Sequence, residues 1–410
     1  MHRRIVVLTC ALGLRLAAQS PADLIHDPAV HAALDAVQRD EPRTLDLQAR
    51  LCEIAAPPFH EQARALELKR LFEDLHLKDV RIDKTGNVIG VRPGRSARPN
   101  LVFSAHLDTV FPEGTDVHVT RNGDLMKGPG IGDDSRGLAV MLATIRALDE
   151  ARVETPGTIT FVADVGEEGL GDLRGMKGLF FDSLNGQIDK FVSVDGTGLG
   201  ITNTGVGSNR YKVTFKGPGG HSYGAFGLAN PIQAMGRAIA KIDAFQVPTR
   251  PKTTFNVGRV GGGTSVNAIP FEAWMEVDLR SSDPAALKEL DNKLHEAIHQ
   301  AVAEENARWP GKGAVSVSAE LVGMRPGGRT PHESPIVQTA MAVSRALHID
   351  EVLREGSTDS NVPMNLGIPA ITISGGGIGT GAHALTETFD AHDSWRGTQR
   401  ALLLAVALAR

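Results

Sequence analysis

The chain has 410 residues and a formal net charge of -5, and 41% of its residues are hydrophobic. This length favours two domains, and the apolar content is ordinary for a soluble globular protein. The negative charge balance excludes recruitment of nucleic acid by a chain-wide basic surface.

The first twenty residues differ from the rest of the chain. Residues 2–4 are cationic, 5–14 are apolar, and 16–20 end in small side chains. This order predicts a secretory signal over 1–20 and export to the periplasm or the medium. Arg15 is unfavourable in such a signal, and the alternative is a frayed helix on a cytoplasmic protein. No other stretch approaches the length of a membrane span, so no membrane association is expected.

The sequence contains two cysteines, Cys10 and Cys52. Removal of a signal leaves one thiol, so no internal disulfide is expected. Because Cys52 lies in the short run Leu51-Cys52-Glu53-Ile54, we interpret it as a small buried hydrophobe on a helix, without a catalytic role.

Helices and strands alternate in the part of the chain that follows. The predicted elements are helices over 46–55 and 60–75, a hairpin over 80–91, a strand over 101–105, a helix over 138–148, and strands over 158–163 and 191–194. Polar residues follow three of these strands, at His106, Glu167 and Asp195. The order predicts an α/β domain, in which ligands bind beyond the carboxyl ends of the strands.

The pattern changes near Val206. The next predicted elements are a strand over 211–216, a helix over 231–245, strands over 254–260 and 272–279, a helix over 284–305, and a strand over 315–321. This β-α-β-β-α-β order predicts a small antiparallel sheet with two helices on one face. The α/β pattern resumes with a helix over 335–347 and a strand over 370–373. We therefore predict a catalytic domain in two parts, 21–205 and 326–410, with an α+β domain inserted at 206–325.

Each motif with candidate catalytic chemistry has a simpler explanation when it is taken alone. His106 and Asp108 share a strand face, where the carboxylate can orient a ligating imidazole, but a lone His-x-Asp pair is more often a satisfied core histidine. The glycine-rich run before Asp133 lacks the spacing of a phosphate loop, and its aspartates can cap a helix. Glu167 and Glu168 can be a solvated surface pair.

The full set of motifs favours a two-metal hydrolytic site. The candidate ligands are His106, Asp133, Glu168, Asp195 and His383. Three carboxylates facing two divalent cations leave one net positive charge, which a hydroxide neutralises. Two nitrogen donors and three carboxylates suit zinc, and cobalt or manganese can substitute.

The sequence resembles the co-catalytic zinc peptidases and deacylases typified by carboxypeptidase G, aminoacylase and peptidase T, with matching motifs from Ser104 to Glu387. The resemblance implies a mixed-sheet zinc-exopeptidase domain, two Zn²⁺ per subunit, and a ferredoxin-like lid that also forms dimers. It implies that Asp133 bridges the metals and that Asp108 orients His106. It assigns the general base to Glu167 and metal ligation to Glu168, and a cis bond is expected after Asp133.

The same resemblance implies roles for residues outside the ligand set. His221, in Gly219-Gly-His-Ser, matches a family histidine that stabilises the oxyanion. Asn267 and Arg280 match substrate-binding residues, and Gly356 and Ser357 match a loop that contacts the substrate backbone. Without the resemblance, Arg280 would be a surface charge and His221 a loop histidine.

Three residues depart from the family pattern without removing a ligand. Gly132 replaces the more frequent alanine, and Ser135-Arg136 replaces a common Lys-Gly or Lys-Ala pair. The family carries either aspartate or glutamate at the position of Asp195. The aspartate of this chain favours aminopeptidases and dipeptidases over carboxypeptidases.

We therefore predict hydrolysis of an amide bond in short peptides. A deacylase for N-acyl amino acids or a carboxypeptidase on the same site is the alternative. A non-catalytic binding protein would be expected to lose ligands or the base. A serine hydrolase would need a Gly-x-Ser-x-Gly elbow placed directly after a strand, and none of the predicted strands is followed directly by one.

The resemblance also predicts a homodimer through the inserted domain, in which the lid histidine enters the partner's site. We expect an exposed edge strand over 211–216, and the helix over 231–245, to lie near that contact. The alternative is a monomer whose lid closes on its own site.

Overall fold

A computed structural model describes residues 20–410, so all but the last residue of the predicted signal lies outside the described residues. Helices in this range are α1 (Pro21–Leu24), α2 (Pro28–Arg39), α3 (Glu41–Cys52), α4 (Gln62–Asp74), α5 (Ser135–Glu150), α6 (Arg174–Gly178), α7 (Pro231–Asp243), α8 (Pro284–Arg308), α9 (Pro335–Ala346), α10 (Asn361–Asn365) and α11 (Trp395–Leu408).

Strands are distributed over the whole described chain. They are β1 (Lys78–Ile82), β2 (Val88–Arg92), β3 (Asn100–His106), β4 (Thr120–Asn122), β5 (Leu125–Lys127), β6 (Thr158–Asp164), β7 (Lys190–Val194), β8 (Ile201–Gly205), β9 (Gly207–Lys216), β10 (Gly220–His221), β11 (Thr253–Gly262), β12 (Ala268–Ile269), β13 (Glu272–Ser281), β14 (Ser316–Arg325), β15 (Gly328–Arg329), β16 (Leu353–Gly356), β17 (Ala370–Ile373), β18 (Ile378–Thr380) and β19 (Thr388–Asp390).

Across residues 20–410 the largest sheet is mixed, with the strand order β1-β2-β6-β3-β7-β17-β8-β15 and β16 paired to β8. Strands β6, β3, β7 and β17 run parallel to one another, whereas β2 and β8 pair antiparallel with the two ends of this group. The predicted α/β class is confirmed.

Both faces of this sheet are covered, which explains the continuous apolar run of β3. Phe103 packs into a core shared with α5, whereas Val102 packs into a second core with Leu179 and Phe191. A strand buried on both faces carries apolar residues without alternation. Because β3, β6 and β7 are parallel neighbours, their carboxyl ends meet at one edge of the sheet, and the residues that follow them lie close together.

A second sheet, formed by Gly207–Arg325, has its own hydrophobic core. The strand order is β11-β13-β9-β14, with every neighbouring pair antiparallel, and α7 and α8 pack against it. The predicted order of these six elements is observed. The expectation of an exposed edge over 211–216 is wrong, because β13 and β14 pair with β9 on its two sides. The edge strands of this sheet are β11 and β14.

Several local features differ from the sequence-based expectation or extend it. Helix α3 begins at Glu41 rather than at residue 46, and a small sheet of β18, β19, β5 and β4 was not predicted. Burial raises the pKa of the Cys52 thiol to about 12, in agreement with its interpretation as a buried, unreactive residue. In residues 20–410, each helix is too short or too polar to cross a membrane.

Candidate two-metal site

Two groups of side chains that could each hold a divalent cation meet beyond the carboxyl ends of β3, β6 and β7. They are His106, Asp133 and Asp195, and Asp133, Glu168 and His383. Within each group, one nitrogen or oxygen atom from every residue lies within 4.8 Å of the others. The structure therefore brings all five predicted ligands together, with Asp133 common to both groups.

The two oxygens of Asp133 face different histidines. Its Oδ1 lies 3.0 Å from His106 Nε2, and its Oδ2 lies 3.2 Å from His383 Nε2. Glu168 Oε1 lies 3.0 Å from the same nitrogen of His383, and Asp195 Oδ1 lies 3.9 Å from His106 Nε2. A carboxylate between two imidazoles, with one further carboxylate on each side, fits two divalent cations that share Asp133.

Asp108 holds three residues of this site. Its main-chain oxygen lies 3.0 Å from His106 Nδ1, and its carboxylate Oδ1 lies 3.7 Å from the same nitrogen. The carboxylate itself accepts the main-chain N–H groups of Glu167, at 3.0 Å, and Glu168, at 2.8 Å. The orienting contact to the imidazole thus comes mainly from the Asp108 main chain, while the carboxylate fixes the position of the two glutamates.

Asp134 joins the site to the start of α5. Its Oδ1 accepts the N–H of Gly137 at 3.0 Å, and its Oδ2 accepts the main-chain N–H of His106 at 3.2 Å. The peptide bond between Asp133 and Asp134 is cis, which confirms the expectation. The two aspartates therefore divide the roles proposed for the pair, since Asp134 caps the helix and Asp133 faces the histidines.

Glu387 holds the loop that carries Asp133. Its carboxylate accepts main-chain N–H groups from Gly130 at 2.9 Å, Gly132 at 2.8 Å and Asp133 at 3.1 Å. A Cβ at position 132 would lie 3.1 Å from Glu387 Oε1 and 2.9 Å from Thr197 Cγ2. Close approach of this carboxylate explains why glycine replaces the alanine expected there.

Charges within the cluster shift the pKa values of its members. Burial alone would lower the pKa of His106, but the neighbouring carboxylates outweigh it and hold that pKa well above the ordinary value. Hydrogen bonds to Asp133 and Glu168 raise the pKa of His383 to about 10. Burial, together with the charge of Asp133, raises the pKa of Asp195 to about 7. Both imidazoles therefore carry a proton at neutral pH until a cation displaces it.

We expect cation binding near pH 8 to release about two protons per chain from the ligands, because His106 and His383 must lose a proton to coordinate, and ionisation of a cation-bound water adds to this number. Near pH 6 the ligands should release about one proton more, since Asp195 is then mostly protonated, so cation affinity increases with pH. Calorimetric titration of the apoprotein with cobalt chloride, in buffers of different ionisation enthalpy, measures this count. Release of no protons at either pH would contradict the two histidine assignments.

The ligand groups open into a cleft of about 460 Å³ between the large sheet and the inserted sheet. The residues lining this cleft are Val110, Asp133, Glu167, Glu168, Gly169, Asp195, Thr202, Arg210, Arg280, Arg325, Ser357, Thr358, Thr372 and His383. Glu167 is buried beside the ligands. Burial raises the pKa of its carboxyl well above the ordinary value, and the Arg325 guanidinium opposes this shift. A carboxyl group with a raised pKa at a water-binding cleft suits general acid–base work.

Predicted substrate-binding residues fall into two places. Arg280 and Ser357 line the cleft, and Gly356 ends β16 beside it. His221, on β10, and Asn267, directly before β12, are exposed neighbours and are not among the lining residues. His221 Nδ1 accepts main-chain N–H groups, which turns its Nε2 away from its own loop. The structure thus does not bring His221 to the metal-ligand cluster of its own chain.

Two arginines in the cleft were missed by the sequence analysis. Arg210 donates from Nε to Asp278 Oδ1 at 3.3 Å, and Arg280 donates from Nε to Asp278 Oδ2 at 2.6 Å. Arg325 contacts Glu167 and Ser357. Charged residues that alternate along a strand are typical of a solvent-exposed face, so the sequence gives no sign that this face closes a cleft.

The match to a family model identifies the chain. Residues 102–406 match the model described as peptidase family M20/M25/M40. This chain belongs to that family. It is therefore a hydrolase of the M20 peptidase and deacylase group, as the sequence motifs predicted.

Relatives of known sequence cover the chain to different extents. YqjE of Bacillus subtilis strain 168, whose name assigns no activity, is 28% identical over 82% of this chain and 91% of its own length. Carboxypeptidase G2 of Pseudomonas sp. strain RS-16 is 27% identical over 56% of this chain and 57% of its own length. The chain therefore spans nearly the whole of YqjE and somewhat over half of carboxypeptidase G2.

Solved structures share the fold over most of this M20 chain. The aminopeptidase PepT from Bacillus cereus has a TM-score of 0.72 and 22% identity and covers 90% of this chain and 99% of its own. YxeP from Bacillus subtilis, described as a dinuclear metal-binding peptidase of the M20 family, has a TM-score of 0.67 and 18% identity and covers 90% and 99%. The predicted fold, a zinc-exopeptidase type of catalytic domain with an inserted α+β domain, is confirmed.

Proposed function

We propose that this M20 hydrolase cleaves an amide bond in short peptides, as an aminopeptidase or dipeptidase, with two divalent cations held by the five clustered ligands. The observation that carries this proposal is the sharing of Asp133 by two ligand groups beside the buried carboxyl of Glu167. The descriptions of PepT as an aminopeptidase and of YxeP as dinuclear support it.

The donor set supports zinc as the resident metal, with cobalt or manganese as substitutes. Bound cations would supply Lewis acidity, which lowers the pKa of a water molecule and polarises the scissile carbonyl. Glu167 accepts one proton from the attacking water as the water oxygen bonds to the carbonyl carbon. The same carboxyl then gives the proton to the amine nitrogen as the C–N bond breaks, so the products are one acid and one amine.

Arg280 has the chemistry to select the substrate. Its guanidinium lines the cleft and is 40% exposed, so it can pair bidentately with a carboxylate of the substrate. Ser357 also lines the cleft and offers a hydroxyl. Both a free peptide and an N-acyl amino acid carry such a carboxylate.

A panel of small substrates tests this proposal. Purified enzyme, loaded with zinc, cobalt or manganese, is assayed on Ala-Ala, Ala-Ala-Ala, Ala-Ala-amide and N-acetyl-alanine. Release of alanine from the first two, with weaker activity on the amide, supports a peptidase that recognises a terminal carboxylate. Cleavage of N-acetyl-alanine alone would instead identify a deacylase. Lack of activity on the whole panel would favour a binding protein.

We also propose a homodimer in which His221 serves the partner's site. The exposed position of His221, away from its own ligands, supports this arrangement. The edge strand β11 and the helix α7 offer a surface for the contact, with Val260 at 56% and Ile232 at 40% exposure. This surface takes the place of the segment over 211–216 in the proposed contact, because that segment is internal to the sheet.

Mixing two inactive variants tests the shared site. We expect His221→Ala and Glu167→Gln chains to be inactive separately and to recover part of the activity after subunit exchange. One of the two mixed sites then has both residues intact. Exchange is confirmed by native mass spectrometry before the assay. Confirmed exchange without recovery would show that His221 acts within its own chain.

A further inference from the structure

A buried arginine from the inserted sheet contacts the candidate base. Arg325 ends β14, and its side chain is 5% exposed. Its Nη1 donates to Glu167 Oε1 at 2.9 Å and to Ser357 Oγ at 3.1 Å, and its Nη2 donates to the Glu167 main-chain oxygen. A guanidinium buried to this extent needs an anionic partner, and Glu167 supplies it.

These contacts constrain one side of the Glu167 carboxylate. Oε1 is engaged by Arg325, and the main-chain N–H of Glu167 donates to Asp108 Oδ1. Among the hydrogen bonds of residues 20–410, none engages Oε2 of Glu167. The carboxylate is therefore fixed through one oxygen, and the other oxygen is available to accept a proton.

We infer that Arg325 is a positioning residue for Glu167, which holds the carboxylate in the orientation that proton transfer requires. The inference rests on the proposed amide hydrolysis and adds a residue to it. A fixed side chain reduces the number of orientations that the base samples, and misplacement of a reacting group by about 1 Å can cost about 100-fold in rate.

Other contacts anchor the end of β14 on the segment that follows the base. Asp172 accepts the main-chain N–H of Met324 at 2.7 Å, and Lys177 donates to the Met324 oxygen at 3.0 Å. Arg210, on β9, donates to the main-chain oxygen of Gly169. The inserted sheet thus sits directly on residues 167–177. A change in its position would move Arg325 and with it the Glu167 carboxylate.

Replacement of Arg325 by methionine tests the positioning role, because methionine keeps much of the stem and removes the charge. We expect kcat to fall by about 10- to 100-fold, with KM changed by less than about threefold and metal content unchanged. Arg325→Lys should recover part of kcat, since an ammonium can still pair with the carboxylate. As a control in the same inserted unit, Lys288→Met removes the ion pair from α8 to the buried Asp291, and it should leave kcat unchanged.

A double-mutant cycle separates positioning from an independent effect. In a Glu167→Gln background, Arg325→Met should cause less than about a threefold further loss, because there is no carboxylate left to position. The same 10- to 100-fold loss in that background would overturn the inference. So would a rise in KM with unchanged kcat, which marks Arg325 as a substrate contact.

Separate controls test whether each variant folds and whether the wild-type enzyme has the proposed function. Thermal melts verify that each variant folds, and if Arg325→Met does not fold, Arg325→Lys carries the cycle, with an intermediate loss of kcat expected. A wild-type enzyme inactive on the whole substrate panel would contradict the proposed function and this inference together. An active wild type whose Arg325 variants keep full kcat would contradict the inference alone.

Discussion

Substitution of Glu167 by glutamine is expected to lower kcat by about 10³- to 10⁴-fold while the bound cations are retained. The amide keeps the shape of the side chain but cannot accept a proton from the attacking water. Glu167 belongs to neither ligand group, so we expect cation binding to persist without its charge. Steady-state kinetics and elemental analysis of the same preparation measure both quantities.

The adjacent residue provides the matched control. Glu168→Gln should weaken cation binding, because Glu168 Oε1 lies 3.0 Å from His383 Nε2 within the second ligand group. Addition of excess cation should restore part of the activity of Glu168→Gln and none of the activity of Glu167→Gln. If Glu167→Gln releases metal and is rescued by it, the roles of the two glutamates are reversed.

Removal of the cations is expected to abolish activity, and zinc or cobalt should restore it. The physical reason is that the carbonyl and the water have no other strong Lewis acid in the cleft. Dialysis against a chelator, followed by metal addition and assay, measures the effect. Active enzyme without any metal by elemental analysis would refute the two-metal proposal.

Substitution of single ligands tests the two cation sites separately. Asp133 is shared by both groups, whereas Asp195 belongs to one. Asp133→Asn should therefore weaken both sites, and Asp195→Asn should leave about one cation per chain. Equal loss of both cations from the two variants would show that the sites do not load independently.

Much of the ligand cluster could be predicted from sequence because each ligand follows an apolar strand or a motif with a fixed spacing. His106 ends β3, and Asp195 follows β7, which pairs with β3 in parallel. Parallel neighbours bring their carboxyl ends to one edge, so adjacency in the sheet gives adjacency in the site. Asp108 contacts His106, Glu167 and Glu168 because all four residues lie at this edge of the sheet.

The arginines of the cleft could not be predicted in this way. Arg325 and Glu167 are separated by 158 residues and lie in different sheets. Their contact depends on how the inserted sheet sits on residues 167–177, and no local pattern encodes that orientation. The position of β9 within its sheet could not be predicted either. The alternation over 211–216 indicates a half-exposed strand, but it does not show whether that strand lies at an edge of the sheet.

The interior position of β17 affects the order in which the protein can mature. This strand lies between β7 and β8 in the large sheet, although it comes after the whole inserted sheet in the chain. His383 and Glu387 follow it, and they complete the second ligand group and hold the Asp133 loop. During synthesis, a nascent chain that lacks β17 has a gap in its main sheet. A chain that also lacks His383 has an incomplete set of ligands. The second ligand group can therefore form only after the segment that carries His383 has been synthesised, whereas the residues of the first group are all present earlier.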